Sequence, residues 1–91
     1  MELNHRLRIT EDVIYQKVDE EMVLLNLETG IYYGLDPVGS RFLELLLQHD
    51  SLDRVFENML REYEVSPERL QQDIQRLVQQ LQTNKLVDVV T

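Results

Sequence analysis

The spacing of apolar residues changes once along this 91-residue chain, near residue 35, and the change divides the chain into two parts. The first part contains three short runs rich in β-branched, aromatic and aliphatic residues: VIYQKV at 13–18, MVLLNL at 22–27 and IYYGL at 31–35. Runs of this kind between turn residues are typical of β-strands. The connections are two or three residues long and permit only antiparallel pairing. Gly30 supplies the left-handed residue that a three-residue hairpin loop needs. The pattern predicts an antiparallel β-meander.

Beyond residue 35 the apolar residues recur every three or four positions, which predicts helices. Asp36-Pro37 is a helix-start signal, because the aspartate can cap a free N–H and proline is tolerated at the first helical position. The first helix is expected to run to about His49. Ser51 is expected to cap the second helix, and Ser66-Pro67 the third, which ends near Asn84. The apolar positions of the third helix are Leu70, Ile74, Leu77, Val78 and Leu81.

The chain ends are predicted to lie outside this frame. Residues 1–10 show no clear period and are interpreted as a mobile arm, in which Leu7 and Ile9 could become ordered. Residues 86–90 are predicted to be a short extended tail. Three strands followed by three helices predict one α+β domain over residues 1–91, with the helices on one face of the sheet. A winged helix-turn-helix domain has the same pattern.

Composition excludes several classes of function. The chain has no cysteine, so disulfides and thiolate catalysis are excluded. It shows no signal peptide and no membrane-spanning apolar run, and a cytoplasmic location is the expectation. The two histidines, His5 and His49, have no neighbouring carboxylates at metal-ligand spacing. Gly30, Gly34 and Gly39 do not form a phosphate-binding loop; Gly34 and Gly39 are expected to allow close packing of the third strand on the first helix. We therefore expect no enzymatic activity, metal or cofactor.

The third predicted strand, Ile31–Leu35, is the most informative feature for function. In a three-stranded meander it is an edge strand, yet it contains no lysine, proline or inward charge, which are the residues that normally protect an edge. Tyr32 and Tyr33 point to opposite faces, so at most one belongs to the core. Either a foreign peptide adds to this edge as a further strand, or the chain covers the edge with its own tail or arm. The sequence leaves both open.

A DNA-binding regulator is the alternative from a different class. The third helix would then be the recognition helix, and its glutamines could read adenine edges. The net charge of −8 opposes this, because affinity for nucleic acid comes largely from cations that neutralise phosphates. A dimerising module that uses the same strand edge is a further possibility.

The stretch VLLNLETGIYYGLDPVGSRF, followed by an apolar helix, resembles the PqqD-like family over about residues 13–90. The resemblance implies a recognition element for the precursors of ribosomally synthesised, post-translationally modified peptides. Such an element binds the leader segment of a precursor and presents it to modifying enzymes. The double tyrosine of YYGL, followed by Val-Gly, is most similar to the stand-alone leader-binding proteins of lasso-peptide pathways. The partners implied are a cysteine-type leader peptidase and an ATP-dependent cyclase. The alternative relative is the pyrroloquinoline quinone chaperone, which serves a radical SAM enzyme.

The resemblance also implies a site, in which the leader pairs with the third strand and lies against the third helix. The expected peptide-binding residues are Ile31, Tyr32, Tyr33, Gly34, Leu35, Leu70, Asp73, Ile74, Leu77 and Leu81. The charge of the protein adds the hypothesis that the leader is apolar with basic flanks.

Overall fold

The computed structural model describes residues 6–49 and 51–90 of the chain. The elements in chain order are β1 (Arg6–Ile9), β2 (Val13–Val18), β3 (Glu21–Asn26), β4 (Tyr32–Gly34), α1 (Pro37–His49), α2 (Leu52–Glu62), α3 (Pro67–Thr83) and β5 (Val87–Val90). Strands β2, β3 and β4 form one antiparallel sheet in that order, and the three helices follow it. The predicted α+β architecture is confirmed. None of the helices in these ranges is long and apolar enough to cross a membrane.

The turns of the sheet follow the chemistry of their residues. The β2–β3 turn is the two-residue Asp19-Glu20, since Val18 pairs with Glu21. Asp19 adopts a φ of 56°, which is uncommon for a residue with a side chain. Gly30 in the β3–β4 loop has a φ of 77°, as the hairpin pattern predicts. Asp36 caps α1, because its Oδ1 accepts a hydrogen bond of 2.7 Å from the N–H of Gly39.

Strand β1 and its pairing with β5 were not predicted. Residues 6–9 pair antiparallel with Val87–Val90 and form a separate two-stranded sheet. The interpretation of residues 1–10 as a mobile arm is therefore wrong for residues 6–9, where Leu7 is buried. Residues 1–5, including His5, lie outside the described residues. The predicted extended tail is confirmed, and its partner is the other end of the chain.

The core lies between the helices and one face of the three-stranded sheet. Its fully buried centre includes Leu24 of β3, Phe42 and Leu43 of α1, Val55 of α2 and Leu81 of α3. Its other buried members are Leu7, Val13, Met22, Leu35, Leu45, Leu46, Leu52, Met59, Leu70, Ile74, Val78, Leu86 and Val87. Within residues 6–49 and 51–90, the helices thus cover one sheet face only, and the opposite face and the outer edge of β4 are left open.

Two expectations about small residues need correction. A Cβ on Gly39 would lie 3.4 Å from a side-chain carbon of Leu35, so this glycine does allow close packing. A Cβ on Gly34 would meet nothing within 4 Å, so Gly34 has no such role. Ser66 caps α3 by accepting a hydrogen bond from the N–H of Arg69, but the Ser51 side chain makes no capping bond to α2 and contacts Asp53 instead.

Candidate functional site: the open edge of β4 and its groove

The outer edge of β4 is unpaired within the described residues. The sheet order places β4 at one border, and β5, the tail that could have covered it, pairs with β1. Of the two possibilities that the sequence left open, self-coverage by residues 86–90 is therefore excluded. The edge stays available to another chain.

The register shows which backbone groups this edge offers. The Asn26 N–H donates to the Ile31 carbonyl, and the Leu35 N–H donates to the Met22 carbonyl. Backbone groups in an antiparallel strand alternate in direction. Residues 31, 33 and 35 therefore face β3, and Tyr32 and Gly34 direct their N–H and C=O groups outward. An incoming strand would find two donors and two acceptors.

The other border of the sheet, β2, is protected differently. Lys17 lies on this strand, and its Nζ is 3.6 Å from Glu44 of α1. An edge lysine disfavours addition of another strand. Because β4 carries no comparable charge, the two open edges differ, and β4 is the one suited to docking.

A groove beside β4 is formed by α3 and by the segment where β4 leads into α1. The hydroxyl of Tyr33 donates a 2.9 Å hydrogen bond to Oε1 of Gln80, so this ring spans from the strand to the helix. Next to it lies a cavity of about 330 Å³. It is lined by Asp36, Val38, Gly39, Asp73, Arg76, Leu77 and Gln80. Its walls are mixed in charge, with two carboxylates and one guanidinium.

An apolar pocket continues this groove between the three helices. It has a volume of about 150 Å³ and shares Val38, Asp73 and Leu77 with the cavity just described. The remaining lining residues are Phe42, Met59, Tyr63, Val65, Leu70 and Ile74. An apolar cavity of about this size accommodates a benzene-sized group. The pocket can therefore take one apolar side chain.

The predicted site residues of β4 and its flanks differ in how exposed they are. Tyr32, 69% exposed, and Gly34 form the open edge, while Ile31 and Tyr33 are half-buried beside it. Leu35 is buried under the strand.

On α3, Asp73 and half-buried Leu77 line the groove, and buried Leu70 and Ile74 lie at the base of the apolar pocket. Leu81 is 0% exposed and lines neither the cavity nor the pocket, so its predicted contact with a peptide is corrected to a role in the core.

Five residues that line the groove cavity were not predicted as site residues: Asp36, Val38, Gly39, Arg76 and Gln80. The apolar stripe of α3 marks the core, whereas the groove lies along the neighbouring row of residues 73, 76, 77 and 80. That row is mostly polar and carries no periodic signal of its own. The i, i+3, i+4, i+7 spacing places these four residues on one face of the helix. It does not show that this face borders a groove unless the buried side of the helix is already known.

The sheet face opposite the helices is apolar and exposed. Ile14 and Val18 of β2 are half exposed, Tyr32 of β4 is more so, and Val23 and Leu25 of β3 lie between them. No element within residues 6–49 and 51–90 packs on this face. Exposed apolar surface of this kind marks an interaction site more often than an isolated exposed residue does.

The strongest ion pair holds α1 to the end of α2. Nε and Nη2 of Arg41 each donate a 2.8 Å hydrogen bond to one carboxylate oxygen of Glu62. This bidentate bond lowers the pKa of Glu62 below its ordinary value and raises that of Arg41. In α3, Asp73 forms a looser 3.6 Å pair with Arg69. Of the residues in these two pairs, only Asp73 lines the groove.

The fold defines a small winged-helix-like domain in which, within the described residues, the outer edge of β4 is unpaired. The chain belongs to the PqqD family, because the family model described as coenzyme PQQ synthesis protein D (PqqD) matches residues 21–87. The predicted family resemblance is confirmed. No curated protein matches this sequence.

Two solved structures are similar to this one. The first is TbiB1 in complex with the TbiA(beta) leader peptide, with 32% identity and a TM-score of 0.85 over 89% of this chain and 94% of the other. The second is a lasso peptide synthetase B1 complexed with the leader peptide, with 28% identity and a TM-score of 0.82 over 91% of this chain and 98% of the other.

Proposed function

We propose that this protein binds the leader segment of a ribosomally synthesised precursor peptide by β-strand addition to β4. The observation that carries the proposal is an unpaired strand edge bordered by a partly apolar groove. The two similar structures, both of which are complexes with a leader peptide and one of which is a lasso peptide synthetase B1, support it. They favour a lasso-peptide pathway over pyrroloquinoline quinone synthesis.

Backbone pairing gives the leader its position. The outward groups of Tyr32 and Gly34 can form up to four hydrogen bonds with it, each with a net contribution of about 0.5–1.5 kcal/mol. These bonds do not depend on the leader's sequence. They hold the leader along the strand and beside the groove, while its side chains set the register.

Side chains give the leader its specificity. In an added strand, alternate side chains point to the helix side and meet Leu77, Asp73 and the ring of Tyr33. One apolar side chain beyond the strand would fill the pocket between the helices. Burying one large side chain contributes about 1.5–3 kcal/mol, and the cost of ordering a free peptide offsets part of this gain.

Presentation to enzymes is the second part of the proposed function. A leader strand on β4 extends the same sheet, so its remaining side chains would join the exposed apolar face formed by Ile14, Val18, Val23, Leu25 and Tyr32. An enzyme that docks on this face would contact the protein and the bound leader together. We propose that the leader peptidase, of the cysteine-protease type, docks here and that the ATP-dependent cyclase acts on the peptide it releases. In this scheme the protein is an adaptor in the cytoplasm.

The test is calorimetric titration with synthetic leader peptides from precursor genes adjacent to the gene of this protein, with the TbiA(beta) leader as a second probe. Leu77→Glu should abolish or strongly weaken binding, because it places a carboxylate in the half-buried groove position. Gln79→Glu is the matched control, since it puts the same charge on an exposed site of α3 outside the groove. Circular dichroism verifies that both variants are folded. Equal binding by the wild-type protein and folded Leu77→Glu would contradict the groove assignment.

A further inference from the structure

Among the described residues, Asn26 and Ser40 are the polar residues that are buried as a whole, with exposures of 2% and 1%. They lie at opposite ends of the β3–β4 hairpin. Asn26 pairs with Ile31 at the loop end, and Ser40 contacts Met22 and Leu35, which pair at the other end. A buried polar group is costly unless its hydrogen bonds are satisfied, so this placement calls for an explanation.

Asn26 connects the hairpin loop to the end of α3. Its Oδ1 accepts hydrogen bonds from the N–H groups of Glu28 and Thr29, at 2.9 and 3.1 Å, and thereby shapes the loop. Its Nδ2 donates a 2.8 Å bond to the carbonyl of Lys85, 59 residues further along the chain. One side chain therefore joins both walls of the groove: the hairpin that ends in β4, and the helix that faces it.

The acceptor at Lys85 belongs to a tightly defined turn. The N–H of Leu86 bonds the carbonyl of Leu81, and the N–H of Lys85 bonds that of Gln82. This is the Schellman arrangement that ends many helices. Lys85 takes the left-handed position with a φ of 58°, where glycine is usual. The Lys85 carbonyl, which accepts the hydrogen bond from Asn26, therefore belongs to a conformationally restricted turn.

Ser40 fastens the other end of the hairpin to α1. Its Oγ accepts a 2.7 Å hydrogen bond from the Met22 N–H and donates one of 3.2 Å to the Leu35 carbonyl. Because the Leu35 N–H bonds Met22, the serine closes a small ring of hydrogen bonds at the point where the strand enters the helix. Neither Ser40 nor Asn26 lines the groove cavity or the apolar pocket.

We propose that Asn26 and Ser40 are positioning residues for leader binding. Asn26 ties the loop end of the β3–β4 hairpin to the turn after α3, and Ser40 ties the other end to α1, so that the leader meets a β4 edge whose position is already set. The inference rests on the proposed function and adds to it the residues that prepare the site without touching the peptide. Loss of the hydrogen bonds made by either residue should lower the fraction of molecules in which the groove can bind the leader. The apparent affinity for the leader falls in proportion to that fraction.

Asn26→Asp is the most informative variant. It keeps the oxygen that accepts from the loop but replaces the donor to the Lys85 carbonyl with a carboxylate oxygen, so it breaks the link to α3 and sets two acceptors against each other at a buried place. Val55→Ala is the matched control, because it destabilises a fully buried site in α2 outside the groove and leaves both fastenings intact. Ser40→Ala tests the second fastening. All variants are measured at a temperature where melting curves show them to be folded.

The assay follows association and dissociation of a fluorescein-labelled synthetic leader peptide, one that the wild-type protein binds in the titration above. We expect Asn26→Asp to weaken binding roughly tenfold, which corresponds to about 1.4 kcal/mol. The loss should appear in the association rate with an unchanged dissociation rate. Removal of a direct contact would instead raise the dissociation rate. Val55→Ala should bind as the wild type does.

The outcomes separate the inference from the function on which it rests. If no leader binds the wild-type protein, the proposed function fails, and the inference fails with it. If the wild type binds and folded Asn26→Asp and Ser40→Ala bind equally well, only the inference is overturned. It is also overturned if the loss lies in the dissociation rate, or if Val55→Ala loses as much affinity as Asn26→Asp. A slower association confined to the two fastening variants supports it.

Discussion

The sheet has two open borders, and a pair of proline substitutions can decide which one receives the peptide. Tyr32 on β4 and Tyr15 on β2 are both exposed tyrosines of edge strands. The Tyr32 N–H points away from β3, as the hydrogen bonds on either side of it show. On β2, the carbonyl of Asp12 accepts a bond from the Leu27 N–H, so residues 12, 14 and 16 face β3. The same alternation directs the Tyr15 N–H outward.

Proline at either position removes an N–H that makes no bond within the sheet, so the fold should tolerate both changes. Tyr33→Pro would instead remove a bond to β3 and should destabilise the hairpin. In the complex, Tyr32→Pro deletes one donor and leaves a leader carbonyl without a partner. An unsatisfied group of this kind costs about 1–3 kcal/mol, which corresponds to a roughly 5- to 150-fold loss of affinity.

Titration calorimetry with the synthetic leader peptide measures this loss, and thermal unfolding monitored by circular dichroism verifies the fold. Tyr32→Thr removes the same ring but keeps the N–H, so the difference between Tyr32→Pro and Tyr32→Thr isolates the backbone contribution. Tyr15→Pro should bind as the wild type does. A loss of affinity in Tyr15→Pro, or undiminished binding by folded Tyr32→Pro, would refute docking on β4.

Three further predictions concern stability and the choice of ligand. Lys85→Gly should stabilise the protein by about 1 kcal/mol, because glycine has no penalty at positive φ; this would appear as a rise in melting temperature of roughly 4–8 °C, and a fall would contradict the Schellman geometry. The lowered pKa of Glu62 means that its pairing with Arg41 stabilises the protein above the ordinary glutamate pKa of 4.5 and is lost as the pH falls through the lower, folded-state value. Glu62→Gln should therefore reduce stability at pH 7 by about 0.2–1 kcal/mol and by less in acid, as denaturant titrations at several pH values would show. Duplex DNA should not bind even at low salt in an anisotropy assay, and binding that falls steeply with added salt would favour the regulator alternative.

The sequence predicted the parts of the fold that depend on local chemistry. Gly30 adopts the left-handed conformation, and Asp36 and Ser66 cap their helices, because each of these features is determined by a few neighbouring residues. The β1–β5 pair was missed because Arg6–Ile9 is four residues long and its partner lies about 80 residues away. No local pattern can encode such a pairing.

The groove was only partly predictable for a related reason. Periodicity identifies the side of α3 that enters the core, and Leu81 was assigned to the groove because it shares that side with Leu70 and Ile74. A groove wall is defined by what the helix faces, and Gln80 gains its position from the hydroxyl of Tyr33, 47 residues away. The strand edge was easier to predict because it follows from the order of strands and from the absence of protecting residues.

A winged-helix-like fold can bind nucleic acid or peptide, and three observations favour peptide for this chain. A recognition helix needs an exposed basic surface, but α3 exposes only two cations, Arg69 and Arg76, beside two carboxylates, Glu68 and Asp73, and the whole chain has a net charge of −8. A DNA-binding wing has no need for an unprotected strand edge, whereas strand addition requires one. Finally, the two buried polar side chains of the described residues fasten the hairpin that carries this edge. Polar networks that are fully hydrogen-bonded rigidify a core, and here Asn26 joins the hairpin to the turn after α3 while Ser40 joins it to α1.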